Sequence, residues 1–476
     1  MKKYILIILC CLTSFPLWSY NVNMIVEHYS VDQGLPNNTV NCTLKDRDGF
    51  IWFGTWYGLC CFDGVKFKTF NKQEHDSDVP PRKIQRIVED KNGYIWVKTI
   101  DRKLYVFNKV TECFHAVYDD MKNYSENIQV IKLQNTAEGD VLLLTKDKNL
   151  LLAGVDEKGQ VTIKILFDSR NEINKHDYTL KHHVLCETEE YISWIGTDYK
   201  VAAVHKGSEL ASRPADFITS KINSGDKDSF TSFFEDGRKV WVGDRAGIFY
   251  SIDVRTGLVN RYVLSEIKGA ISNLLVTPAG YVYLSVAGQG TYEYDLAERR
   301  LQKINTEMND AMVTHAFIDQ YDKIWFHENE KALIYYDPLN HTAKRFPFTM
   351  FGKITTLYSE DAGERGLFFL SPAGEAWLFD REHAEMVYIN KLKQLSNDRA
   401  NQQFYHLMLD NDGVLWLSSA DEGVYCMNFP KKQFNLLSLS PQSVGQENYA
   451  TGVRALFQSK SGDIWVGTRW QSVYRM

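Results

Sequence analysis

A large apolar anchor, aromatic in all copies but one, returns about every 46 residues along this chain inside a recurring local grammar. An apolar strand leads into a turn carrying Gly, an aromatic follows three residues after the Gly, and a second hairpin comes next. The fullest copy is Thr39–Gly64, TVNCTLKDRDGFIWFGTWYGLCCFDG. β-Branched and aromatic residues bounded by Asp/Gly pairs read as strands over Thr39–Lys45, Phe50–Thr55 and Leu59–Phe62. The middle strand is apolar on both faces of the pleat, so both faces need a cover, and another copy of the unit can supply it.

Ten anchors follow this ruler: Trp52, Trp96, Leu142, Trp194, Trp241, Tyr283, Trp325, Phe368, Trp416 and Trp465. A strand-rich unit with room for four strands, repeated at this spacing, predicts an all-β fold, a β-propeller of four-stranded antiparallel blades. A solenoid of parallel rungs is the structural rival, but it needs shorter repeats and few tight hairpins. Seven blades fit residues 20–350 as a first ring, which leaves 351–476 as the first blades of an incomplete second propeller. Three blades cannot close a ring without exposing strand edges, so a longer protein is expected. A nine-blade first ring ending near Phe429 is the alternative. The strand MIVEHYSV ahead of the first unit is expected to complete the last blade of its ring.

With 44% hydrophobic residues, 11 Trp, 26 Tyr and 26 Phe, the chain has ample material for large cores. Its net charge of −6 is interspersed, and no Lys/Arg-rich block marks a nucleic-acid partner. Lys2-Lys3, the apolar run Tyr4–Leu12 and the small residues up to Ser19 read as a signal peptide over 1–19, placing the mature chain in the periplasm. Six later cysteines lie within strands without CxxC spacing, as small hydrophobes rather than a disulfide framework or metal site. Asp46-Arg47-Asp48-Gly49 and Asp410-Asn411-Asp412-Gly413 look like calcium-loop starts, yet a strand begins at once after each Gly, which favours tight turns. No metal or cofactor is expected.

Gly34–Phe70 resembles the first propeller repeat of glycan-sensing hybrid two-component systems, and Val453–Arg469 resembles a later copy. The resemblance implies the periplasmic sensor region of a histidine kinase that regulates glycan-utilisation genes. Oligosaccharide would be the ligand, the full-length protein a homodimer, and a membrane span and kinase would lie beyond this chain. The chain itself is then not an enzyme. A secreted propeller hydrolase or lyase is the alternative, and it would need paired carboxylates, or a Tyr/His/Arg group, converging on one face.

Propeller geometry nominates the ligand face. The turns joining second and third strands share one face with the loops between blades, and variable loops carry binding sites. The candidates there are Trp56, Tyr57, Arg102, Tyr199, Arg245, Gln289 and His327, with Asp101, Asp198, Asp244 and Glu328 beside them. Aromatic faces next to fixed polar groups suit sugar rings, their hydroxyls and uronate carboxylates. His327-Glu328 lacks a second member for acid–base chemistry.

Overall fold

The computed structural model describes residues 25–70, 80–122, 124, 129–169, 180–196, 201–207, 215–216, 230–304, 313–328, 331–348, 358–361, 363, 366–371, 375–389, 404–428, 453–459, 463–468 and 473–475. The signal-peptide expectation, 1–19, falls outside them. The chain divides into two compact units, Met1–Phe429 and Pro430–Met476. Nine four-stranded sheets make up the described part of the first unit, each an antiparallel meander in chain order except the ninth. Sheet 1 runs Val40–Lys45, Ile51–Thr55, Gly58–Phe62, Phe67–Phe70, and sheet 2 repeats it as Ile84–Glu89, Ile95–Thr99, Leu104–Asn108, Cys113–Ala116; the first strands of sheets 3 to 8 begin at Val130, Leu180, Phe230, Ile271, Val313 and Tyr358. Helix is confined to Tyr118–Met121 and a 3-10 turn at Val31–Gln33 among the described residues. The all-β propeller architecture follows from this succession.

The second strands are buried from end to end, as their unbroken apolar pattern requires. Each covers its neighbour. Trp52 packs on Phe107 of sheet 2 with ring centroids 5.5 Å apart, and Trp96 joins a core with Leu133, Val141 and Leu143 of sheet 3. Trp194, Trp241, Tyr283, Trp325 and Trp416 likewise lie 5% exposed or less in cores that span adjacent sheets. Removing one such indole to Ala would cost about 3–5 kcal/mol.

The Asp-Gly turns are built from one carboxylate each. Asp46 Oδ1 accepts from the Asp48 and Phe50 backbone N–H groups, and Oδ2 accepts from Trp52 Nε1 at 2.7 Å. Asp90 and Trp96, Asp236 and Trp241, Asp319 and Trp325, and Asp410 and Trp416 repeat the arrangement. Gly49 and Gly93, at φ 93° and 87°, supply the left-handed residue of the turn at no steric cost. The carboxylate thus fixes both the turn and the rotamer of the anchor.

The N-terminal strand joins sheet 9 rather than a seventh blade. Ile25–Tyr29 pairs with Val424–Asn428 and becomes the fourth strand of sheet 9 (Phe404–Leu409, Leu415–Ser419, Val424–Asn428). Leu35, Val40, Ile51 and Phe53 of the first repeat share a core with Trp416 and Val424 of sheet 9, so the succession returns on itself. A boundary at 350 after seven blades therefore does not divide this structure. Sheet 7 already holds its own fourth strand, Thr342–Pro347, and offers the N-terminal strand no free edge. Sheets 8 and 9, set apart from the first ring on sequence, belong to the first unit. The second unit contributes one described sheet: Val453–Gln458, Ile464–Thr468 and Val473–Arg475.

Every first strand except that of sheet 8 carries a register shift near its start. In sheets 1 and 2 the extra residues are Asn41 and Gln85, where pairing steps from Val40 to Cys42 and from Ile84 to Arg86. The side chain at this bulge reaches across to the next sheet: Asn41 Nδ2 donates to the Ile84 carbonyl at 2.7 Å, and Thr231 Oγ1 to the Ile271 carbonyl at 2.7 Å. Bulges near a functional rim re-aim side chains in this way.

Candidate ligand-binding site

The turns after the second strands, together with the residues one step below them, form the candidate site. In sheets 1 to 3 the backbone laces neighbouring loops together. Lys83 N–H donates to the Trp56 carbonyl, Ile100 N–H to Lys83, Val130 N–H to Arg102 and Lys146 N–H to Gln129, at 2.8–3.0 Å. Trp56, Tyr57 and Arg102 all stand on this arc.

Their surroundings differ. Tyr57 is 64% exposed. Trp56 is also exposed, but the Lys83 ammonium lies over its ring, 5.2 Å from the centroid, so a sugar stacking on that face would have to displace a cation–π contact. Arg102 is exposed, with φ 67° in the left-handed region. Arg245 is exposed on the turn of sheet 5, whereas its neighbour Asp244 is buried and accepts from the Ala246 and Ile248 N–H groups, holding the turn. Gln289 is engaged on both sides of its amide, accepting from Lys268 N–H at 2.7 Å and donating to the Glu266 carbonyl at 3.1 Å. Tyr199 and Asp198 lie outside the described residues. Glu328 is buried and paired with Arg345 at 2.9 Å, so it serves the sheet rather than the turn.

His327 sits on the second strand of sheet 7, not in a turn. It faces His315 across the pair and packs on Phe348, ring centroids 5.1 Å apart. Burial, with His315 adding to it, lowers its pKa below the ordinary imidazole value. Its ladder position, opposite the residue after the bulge, is shared by Gly54, Gly243, Ser285 and Ser418 in other sheets. The position is tight: a Cβ on Gly54 would stand 2.4 Å from Cys42 Sγ and 2.5 Å from Ile84 Cγ2.

Sheet 2 places Lys98 there. Sequence reasoning did not single it out, although the change from IWFGT in the first repeat to IWVKT in the second is legible as a Lys where the first has Gly. Lys98 is 6% exposed and lies opposite Arg86. Its Nζ donates to Gln85 Oε1 at 2.9 Å and to the Ile131 carbonyl at 2.5 Å. Burial lowers its pKa to about 8, with Arg102 and Arg86 adding repulsion.

The candidate residues line neither of two clefts elsewhere in the first unit. One, about 450 Å³, is lined by Tyr94, His115, Asp120 and Gln160 between sheets 2 and 3. The other, about 440 Å³, is lined by Glu189, Tyr191, Arg238 and Arg255 between sheets 4 and 5. On the Asp-Gly side, Asp46, Asp48 and Glu89 are close enough to share a cation, and Lys109 Nζ supplies it at 3.1, 2.6 and 2.8 Å. Burial opposes the charge, but the three carboxylates prevail and raise the ammonium pKa.

Residues 34–57 match the family described as two component regulator propeller. The chain carries a two-component-regulator propeller repeat. The start of that repeat helps to join the ends of the ring. Asn38 accepts Gly423 N–H on its carbonyl and Val31 N–H on Oδ1, and Leu35 enters the core shared with sheet 9. Among solved structures, the chain is similar to an extracellular domain assigned to the hybrid two component system BT3049 of B. thetaiotaomicron. Identity is 15%, TM-score 0.34, over 95% of this chain and 65% of that one. An extracellular domain assigned to the one component system BT4673 of the same organism gives 14%, 0.37, 83% and 65%. BamB from Moraxella catarrhalis gives 12%, 0.40, 87% and 100%. The chain thus spans 65% of the length of the first two. A comparison with curated proteins finds no match. The propeller architecture stands on the strand pairing itself. Among the described residues no helix is long and apolar enough to cross a membrane.

Proposed function

We propose that this chain is the extracytoplasmic sensor region of a hybrid two-component system and binds oligosaccharides released by polysaccharide breakdown. The observation that carries the reading is the two-component-regulator propeller repeat at residues 34–57. The laced arc of Trp56, Tyr57 and Arg102 supports it, since exposed aromatics and an exposed guanidinium on one arc offer a stacking face and a bidentate donor to a sugar. Export through residues 1–19, a homodimer and a membrane-anchored kinase belong to the same proposal. Signalling would then follow from ligand favouring one arrangement of the assembly, by no more than its differential affinity for the two.

Calorimetry of the purified chain against a panel of oligosaccharides, with product analysis on the same samples, tests the reading. Saturable binding without turnover is the expected result. A released product would overturn it in favour of a hydrolase or lyase, and absence of binding across the panel would remove the sugar-sensing role.

A further inference from the structure

The second sheet holds three cations at one end with no carboxylate paired to them among the described residues. Arg86 and Lys98 face each other directly across the first and second strands, and like charges in that relation are destabilising. Both nitrogen contacts of Lys98 are to neutral oxygens, Gln85 Oε1 and the Ile131 carbonyl, which leaves its third N–H. Arg102, on the turn three residues beyond the strand, is close enough that its charge acts on Lys98. Asp101, the nearest acid in sequence, is engaged by Thr99 and Lys103. Gln85, Arg86 and Arg102 are exposed while Lys98 is buried, so the group is open to solvent on one side and walled on the other. The equivalent position is Gly or Ser in four other sheets, Leu144 in sheet 3 and His327 in sheet 7, so the architecture does not call for a lysine. A buried ammonium that carries a folding cost, with no counter-charge among the described residues, needs another reason.

We propose that Arg86, Lys98 and Arg102 form the seat for an anionic group, the carboxylate or sulfate of an acidic sugar. The guanidinium of Arg86 would grip two oxygens and the Lys98 ammonium would close on a third from below. The identity of the bearer rests on the oligosaccharide-sensor reading, whereas the seat itself does not.

The test compares the full chain with Arg86→Gln and Lys98→Met. The first is an exposed change, and the second replaces the buried ammonium by an apolar side chain of similar length, so neither should impair folding. The probes are tetragalacturonate (carboxylate), a κ-carrageenan-derived tetrasaccharide (sulfate, no carboxylate), neutral maltotetraose, and inorganic sulfate against chloride at matched ionic strength. Expected are tighter binding of at least one acidic tetrasaccharide than of the neutral one, a tenfold or greater loss of that preference in both variants, and a sulfate-induced rise in Tm confined to the unsubstituted chain. The two tetrasaccharides separate carboxylate from sulfate as the source. Neutral sugar binding as well as acidic, unchanged by either substitution, overturns the seat and leaves the sensor reading standing. Sulfate stabilisation lost in both variants, with no sugar bound at all, keeps the seat and overturns the sensor reading.

Discussion

Asp90 shows how much a single side chain carries in this molecule. Oδ1 takes the Asn92 and Tyr94 N–H groups, and Oδ2 takes Trp96 Nε1 at 2.8 Å and the Val155 N–H of sheet 3 at 3.3 Å. Asp90→Ala leaves these donors unsatisfied in a buried turn, and a loss of about 2–4 kcal/mol is expected by denaturant unfolding. A change below about half a kilocalorie would mean that the turn holds without its carboxylate. His406 makes a second prediction. Burial, with the Arg86 charge adding to it, pushes its pKa down to about 4, and Nδ1 has no partner among the described residues. The native state then binds fewer protons than the unfolded chain between the two pKa values. Stability should fall as pH drops from about 6.5 to about 4, by up to roughly 3 kcal/mol. His406→Phe should flatten that slope, and an unchanged slope would place the acid sensitivity elsewhere. Lys98 has the opposite charge logic to a salt-bridged lysine. With a folded pKa of about 8 its cost is already complete at neutral pH, so Lys98→Met should raise stability there and gain less above about pH 10.

At the scale of elements, the joint between the N-terminal strand and sheet 9 is the most informative. Glu27 lies directly opposite Cys426 in that pair. Cα atoms facing each other across an antiparallel ladder are about 4.5–5.5 Å apart, within the range a disulfide spans. Glu27→Cys should therefore cross-link to Cys426 under mild oxidation, detected as a 27–426 linked peptide in a non-reducing digest. A linkage to another of the buried thiols, or none, would contradict the observed closure. The second unit behaves as an element of a different kind. Leu456, Phe457, Ile464 and Trp465 are 37–70% exposed, although the matching anchors of the first unit are buried. The same strand grammar is present, but within the described residues its apolar face is uncovered.

For the whole molecule, the repeat and its anchors were legible because both faces of each second strand are apolar and each turn states its geometry in Asp and Gly. Even the weak copy around Phe368 falls on a buried strand, Leu367–Leu370. What the repeat could not state is where the ring closes. That depends on which sheet lacks a fourth strand, and spacing of about 46 residues is the same on both sides of residue 350. The site was partly legible for a similar reason. Turn residues such as Tyr57 and Arg245 could be placed on the surface from local grammar, whereas the engagement of Gln289 with residues 266 and 268, and the burial of Lys98 against sheet 3, are set by the neighbouring loop or sheet.

His28 and Glu422, joined by a 2.5 Å contact, stand 394 positions apart. The strand that finishes the circle is thus made long before its mate, Val424–Asn428. Late, long-range docking of this sort is slow, because the entropy of so large a loop is lost before any contact rewards it. During that wait sheet 9 presents a bare edge, which another molecule's leading segment could fill just as well. Refolding at high protein concentration should therefore yield strand-exchanged dimers, visible by size-exclusion chromatography, and dilution should suppress them.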